Sequence, residues 1–248
     1  MKRLITSSLL VLLSFSLGVN VLAEISGSKN LIPKGKVSVK DSGKTEIVDP
    51  ENPGEIINPD PGPSTNGSLR IDYVSSLDFG KVVISKKNRN FNALATQIGK
   101  KNQNRGLFIQ ISDFREKNSG WALQVKQNEQ FNTKNYDELS GSVLSFDKGW
   151  INSLNDKKLP EVTRDTLSIN NIGEVYDVAR ASSETGSGVW TVNFGASKEN
   201  DNNQPITINE DTKTGTRNSA VSLSVPISTK VLPKEYETKI TWILAETP

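Results

Sequence analysis

The sequence predicts an all-β protein: an antiparallel β-sandwich or partly closed barrel of about ten short strands, preceded by a signal peptide and a disordered linker. Three observations carry that expectation. From residue 68 onward, short runs alternate apolar with polar residues; the stretch before them is dominated by proline and acids; and the long apolar run is confined to the first 23 residues.

The elements follow in chain order. In residues 1–23, Lys2 and Arg3 precede an apolar run from Leu4 to Val19, and Val21-Leu22-Ala23 offers a cleavage site. This is the pattern of a secretory signal peptide. The mature chain, from about Glu24, is expected to be exported and soluble, because no later segment is apolar enough to cross a bilayer. Residues 24–67 are expected to be a linker. Five of the eleven prolines (50, 53, 59, 61 and 63) fall between 41 and 67, with six acids and one lysine. Such a stretch is extended and self-repelling, with too few apolar groups to fold alone.

Residues 68–248 carry the β pattern. Leu69, Ile71 and Tyr73 share one side of a strand at period two, followed by Leu77 and Phe79. The same alternation places Leu107, Ile109 and Ile111 together, then Trp121, Leu123 and Val125, then Trp190, Val192 and Phe194, then Val221, Leu223 and Val225. Segments 161–169 and 173–181 add further candidates. Along the last strand Tyr236, Ile240, Trp242 and Leu244 point one way, while Glu237, Lys239 and Thr241 point the other. An apolar inner face of that kind ties down a chain end that would otherwise fray.

Composition excludes whole classes of chemistry. The chain has no cysteine, so no disulfide or thiolate site is available, and no histidine, which removes the commonest general base and metal ligand. No enzyme is expected and no cofactor is required. Two stretches imitate functional motifs. Residues 201–211 carry oxygen ligands, but Pro205 and Ile206 stand where an EF-hand needs an acid or amide and then glycine. Asp113 and Glu116 resemble a hydrolytic carboxylate pair only in sequence spacing, which says nothing about their separation in space.

The spacing Trp-x-Leu occurs twice, in SGWALQV (Trp121, Leu123) and in the closing YETKITWILAETP (Trp242, Leu244). On a strand both side chains of such a pair face the same way, about 7 Å apart, as a block of core or of binding surface. With the opening LRIDYVSSLDFG and the late VWTVNFG, these stretches resemble the WxL domain of surface proteins from low-GC Gram-positive bacteria, over residues 66–248. Lys234-Glu235 before Tyr236 departs from the small turn residue expected there. The resemblance implies non-covalent attachment to the cell wall, with peptidoglycan as partner and Trp121, Leu123, Trp242 and Leu244 as the wall-binding motif. It also implies company: a membrane-anchored WxL-interacting protein and longer WxL proteins. Leu159-Pro160-Glu161-Val162-Thr163 lacks the Thr-Gly of a sortase signal and no apolar tail follows, so covalent anchoring is not expected.

A second feature lies outside the resemblance. Residues 81–105 hold Lys81, Lys86, Lys87, Arg89, Lys100, Lys101 and Arg105 without one acid. They are a candidate electrostatic contact for phosphate-bearing wall polymers or acidic partners, or else solvated turns. Nucleic acid is not expected, since residues 68–248 carry 23 basic against 21 acidic side chains. Three functions follow from different classes: a peptidoglycan-binding surface module first, a structural subunit that docks protein partners and contributes to host adhesion second, a wall hydrolase third.

Overall fold

The computed structural model describes residues 45–247 apart from 84, 86–88, 100–102, 118, 155–157 and 210–214. The expected signal peptide, and residues 24–44 of the expected linker, lie outside the described residues. The strands in chain order are β1 (Leu69–Val74), β2 (Asn90–Leu94), β3 (Thr96–Gln97), β4 (Asn104–Arg105), β5 (Leu107–Asp113), β6 (Trp121–Gln127), β7 (Val143–Phe146), β8 (Gly149–Asn152), β9 (Glu161–Val162), β10 (Leu167–Ile169), β11 (Val175–Ala181), β12 (Gly188–Phe194), β13 (Ile208–Asn209), β14 (Arg217–Ser224) and β15 (Ile240–Glu246). The described residues hold no helix. The protein is all-β, with more strands than expected, because four of the fifteen have two residues and leave no periodicity to read.

These strands form four antiparallel sheets, ordered β1-β5-β12-β8, β10-β7-β14-β13 with β2 also on β14, β15-β6-β11-β9, and β3-β4. Every order is open-ended, so no barrel closes among the described residues. One hydrophobic core joins the three larger sheets. Ile109, Ile111, Trp190 and Val192 enter it from the first, Leu144, Phe146, Ile169 and Val221 from the second, Trp121, Leu123, Val125 and Val178 from the third. The alternation in the sequence thus identifies the inward faces of β5, β6 and β12.

One face was misread, and a bulge is the reason. Ile71 joins the main core, but the register between β1 and β5 shifts between Ile71 and Tyr73. An extra residue in one strand exchanges its two faces from that point on. Tyr73 therefore packs with Ile98 and Phe108 on the opposite side, its ring centroid 4.9 Å from that of Phe108, and Val74 takes its place in the main core.

Part of the proline- and acid-rich stretch packs on the sheet. Residues 45–57 lie across the outer face of the β1-β5-β12-β8 sheet as a strap. Strand β5 is buried on both faces, and beneath the strap its outer face is polar. The fully buried Gln110 amide accepts from Val48 N at 2.9 Å and donates to Glu46 O at 3.0 Å, while Thr45 Oγ1 lies 2.8 Å from Ser112 Oγ. Ile47 and Ile57 cover the Tyr73 and Phe108 cluster. Arg105 grips the strap from below: its Nε and Nη2 donate to the two carboxylate oxygens of Asp49 at 2.8 and 2.7 Å. Glu51 accepts from Ser197 N at 2.7 Å and Ser197 Oγ at 2.5 Å. A stretch with too few apolar groups to fold alone is ordered here because the sheet presents buried polar groups that pair with it. Residues 45–57 thus pack as part of one compact unit with the strands.

Candidate functional site

The two Trp-x-Leu strands are neighbours. β15 lies antiparallel on β6 in unbroken register from Ile240 opposite Gln127 to Glu246 opposite Trp121, so Leu244 faces Leu123 directly and Trp242 sits opposite Val125. On one face of an antiparallel pair, directly opposed side chains touch, and the two motifs become one apolar seam. β15 is an edge strand, held at its far end by Arg115 to Glu246 at 2.9 Å and by Thr247 Oγ1 to Ser119 O at 3.0 Å.

The seam faces inward. Trp121 and Leu123 are 0 % exposed. The Trp121 indole N–H donates to Gly186 O at 3.0 Å, and the Trp190 indole, from a different sheet, donates to the same oxygen at 3.1 Å. One carbonyl with two lone pairs thereby joins β6 to β12. Gly186 has to be glycine: a Cβ there would sit 2.9 Å from Trp121 Nε1 and 3.0 Å from Ala181 Cβ. Trp242 and Leu244 are half-buried against the same core, the Trp242 ring edge-on to Phe146 at 5.9 Å between centroids. The structure thus brings all four motif residues together, and places Trp121 and Leu123 beyond the reach of any ligand that leaves the fold intact.

The basic stretch divides. Lys86, Lys87, Lys100 and Lys101 lie outside the described residues. Lys81 is exposed. Arg89 donates to the carbonyls of Pro226 and Thr229 at 2.9 and 2.7 Å and closes the loop after β14. Arg105 faces inward on Asp49 and Glu51; burial works against its charge, but the hydrogen bonds it donates to Asp49 and the fields of Glu51 and Asp49 outweigh it and raise the guanidinium above its ordinary pKa. Its charge serves the strap, so of the three described cations only Lys81 stands clear of the fold.

The imitated motifs resolve in the same way. Asp113, 1 % exposed, receives Arg115 Nε and Nη2 at 2.9 and 2.8 Å and forms a structural ion pair. In the 201–211 run, Asn202 Nδ2 donates to Glu51 O at 2.9 Å, again fastening the strap. No cluster of acids suited to a metal ion occurs among the described residues.

A groove of about 570 Å³ lined by polar side chains, which no sequence pattern marks, lies where β6 ends and β15 begins. Its walls are the loops 129–136 and 234–239, cross-linked by Asn132 N to Glu237 O and Glu237 N to Asn132 O, both 2.9 Å. Tyr136 stands on its rim, 88 % exposed, at φ 62°.

Fold and site together define a module built of sheets around a tryptophan seam, with an open groove where β6 ends and β15 begins. The comparisons give that class a family. The model of the WxL family, a surface cell wall-binding domain, matches residues 27–248. The chain belongs to the WxL family, and its place is the surface of the cell wall. The match begins inside the stretch that composition marks as linker, in keeping with a strap that is part of the fold. Searches of curated proteins and of solved structures returned no match. The family is described by wall binding rather than by a catalytic activity, and no helix among the described residues is long and apolar enough to cross a membrane.

Proposed function

We propose that the chain is exported by residues 1–23 and attaches non-covalently to peptidoglycan as a non-catalytic protein. The family match over residues 27–248 supports this reading most strongly. The arrangement of the motif adds to it: the Trp-x-Leu seam builds the module, and wall contact falls to its surface. The test is sedimentation of residues 24–248 with purified, protein-free sacculi. The protein is expected in the pellet with no soluble muropeptide released; protein left in the supernatant overturns wall binding, and released muropeptides would establish a hydrolase.

The free edge of β15 favours a second reading. Among the described residues β15 pairs only with β6, so its other edge presents backbone donors and acceptors to which an extended segment can add. A structural subunit docking a membrane-anchored WxL-interacting protein, or longer WxL proteins, and contributing to host adhesion would use that edge. Capture by such a partner with no retention on bare sacculi would favour it.

A further inference from the structure

We propose that the groove between loops 129–136 and 234–239 is a glycan subsite, with Tyr136 as the platform on which a sugar ring stacks. The inference rests on the wall-binding reading and names the surface that would carry it. Tyr136 is the most exposed aromatic among the described residues. Its backbone also lies in the left-handed region, which a bulky side chain adopts only when its surroundings impose it. Here they do. Tyr136 N donates to Thr133 O at 2.8 Å, Thr133 N to Asp137 O at 2.9 Å, and Thr133 Oγ1 accepts from Asn135 N and Asp137 N, both at 3.2 Å. Lys234 Nζ reaches across to Asp137 Oδ2 at 2.7 Å, and this bond holds the Asp137 carboxyl below its ordinary pKa. The turn is built to hold a phenol ring out over the groove.

The groove is also preformed. Beneath it the fully buried Gln127 donates through Nε2 to Glu129 O and to Thr238 Oγ1, both at 3.1 Å, so one amide fastens both walls. A site that is already ordered loses little entropy on binding.

The lining selects the chemistry. Lys134, Lys234 and Lys239 stand against Glu129, Glu235 and Glu237, and two of these lysines are engaged, Lys239 with Glu129 at 3.1 Å and Lys234 with Asp137. With Asp137 counted, three cations stand against four anions and leave no positive field for a phosphate-bearing polyanion. Charged and amide side chains with donors and acceptors on both walls, under one exposed aromatic face, suit a neutral, hydroxyl-rich chain such as an amino-sugar polymer. The open groove admits a strand from the side, as an insoluble wall requires.

The experiment uses residues 24–248, sacculi stripped of phosphate-bearing polymers, and a soluble N-acetylglucosamine oligosaccharide as competitor. Tyr136→Ala is expected to weaken sedimentation roughly tenfold, the range of a lost aromatic contact, with an unchanged melting temperature. Tyr136→Phe keeps the ring face and is expected to bind as wild type. The oligosaccharide is expected to displace wild type, and binding is expected to change little between low and physiological salt. A stable Tyr136→Ala protein that sediments like wild type overturns the subsite and leaves wall binding standing. Retention that requires the phosphate-bearing polymers, or that salt abolishes, also overturns it. Wild type that fails to sediment removes the wall-binding reading and the subsite with it.

Discussion

Replacing Asp49 with alanine is expected to cost about 3 kcal/mol of folding stability, although the residue lies in a stretch whose composition reads as a spacer. The magnitude follows from what is left behind. The Arg105 side chain is 10 % exposed, and Asp49 supplies two of its hydrogen bonds, at 2.8 and 2.7 Å. Removing one member of a buried pair strands a desolvated charge, which costs about 3–5 kcal/mol. Glu51, whose carboxylate lies 3.4 Å from Arg105 Nε, remains and brings the figure to the lower end. The exposed pair Lys239–Glu129, with side chains 75 % and 42 % accessible, is the control, because such pairs contribute about 0–1 kcal/mol. Equilibrium urea unfolding of residues 24–248 measures both. With a slope of about 2 kcal/mol per molar, Asp49→Ala lowers the midpoint by about 1.5 M and Glu129→Ala by under about 0.5 M. Limited proteolysis in the same samples should show the strap cut faster in Asp49→Ala. Equal midpoints and equal cleavage would refute the claim that the strap is part of the fold.

The other predictions rest on separate contacts. Trp121→Ala is expected to lose about 3–5 kcal/mol and Trp242→Ala about half of that, because the first ring is fully enclosed and the second half-buried; chemical denaturation gives the order, and a reversal contradicts the assigned burial. Gly186→Ala, which forces a methyl against both the Trp121 indole and Ala181, is expected to lower the melting temperature with no effect on residual sacculus binding per folded molecule. Burial raises the Glu51 carboxyl above its ordinary pKa of 4.5, against the hydrogen bonds from Ser197 and the field of Arg105. A carboxyl raised in the folded state binds more protons folded than unfolded, so its contribution to stability declines as pH climbs from 4.5 through the folded value. Glu51→Gln is expected to remove that decline, and melting curves from pH 4.5 to 7 that keep the wild-type slope would contradict it.

What the sequence disclosed follows a physical line. Trp121, Leu123, Trp242 and Leu244 were legible because the period of a strand is fixed by its pleat, and one core collects the largest side chains. Their pairing as neighbours follows from both. Tyr73 was not legible, because a bulge after Ile71 changes parity with no mark in composition. The strap was hidden for the opposite reason: proline and acid-rich segments are spacers when nothing receives them, and Asp49 and Glu51 acquire partners only once β4 and the loop after β12 are in place. Arg105, read with its basic neighbours as an external charge, belongs to that same long-range pairing, 56 residues from Asp49 in the chain. Tyr136 left no periodic signal, since its exposure depends on a single turn whose geometry is set by Thr133, Asp137 and Lys234.

In this reading the Trp-x-Leu seam is scaffold and the wall meets the module elsewhere on its surface. Hydrogen exchange of residues 24–248, free and bound to purified sacculi, separates scaffold from contact surface. The amides of residues 121–127 are expected to be protected already in the free protein and unchanged on binding, with new protection in 129–138 and 232–239. New protection concentrated in residues 121–127 and 240–246, with none in the two loops, would contradict this reading.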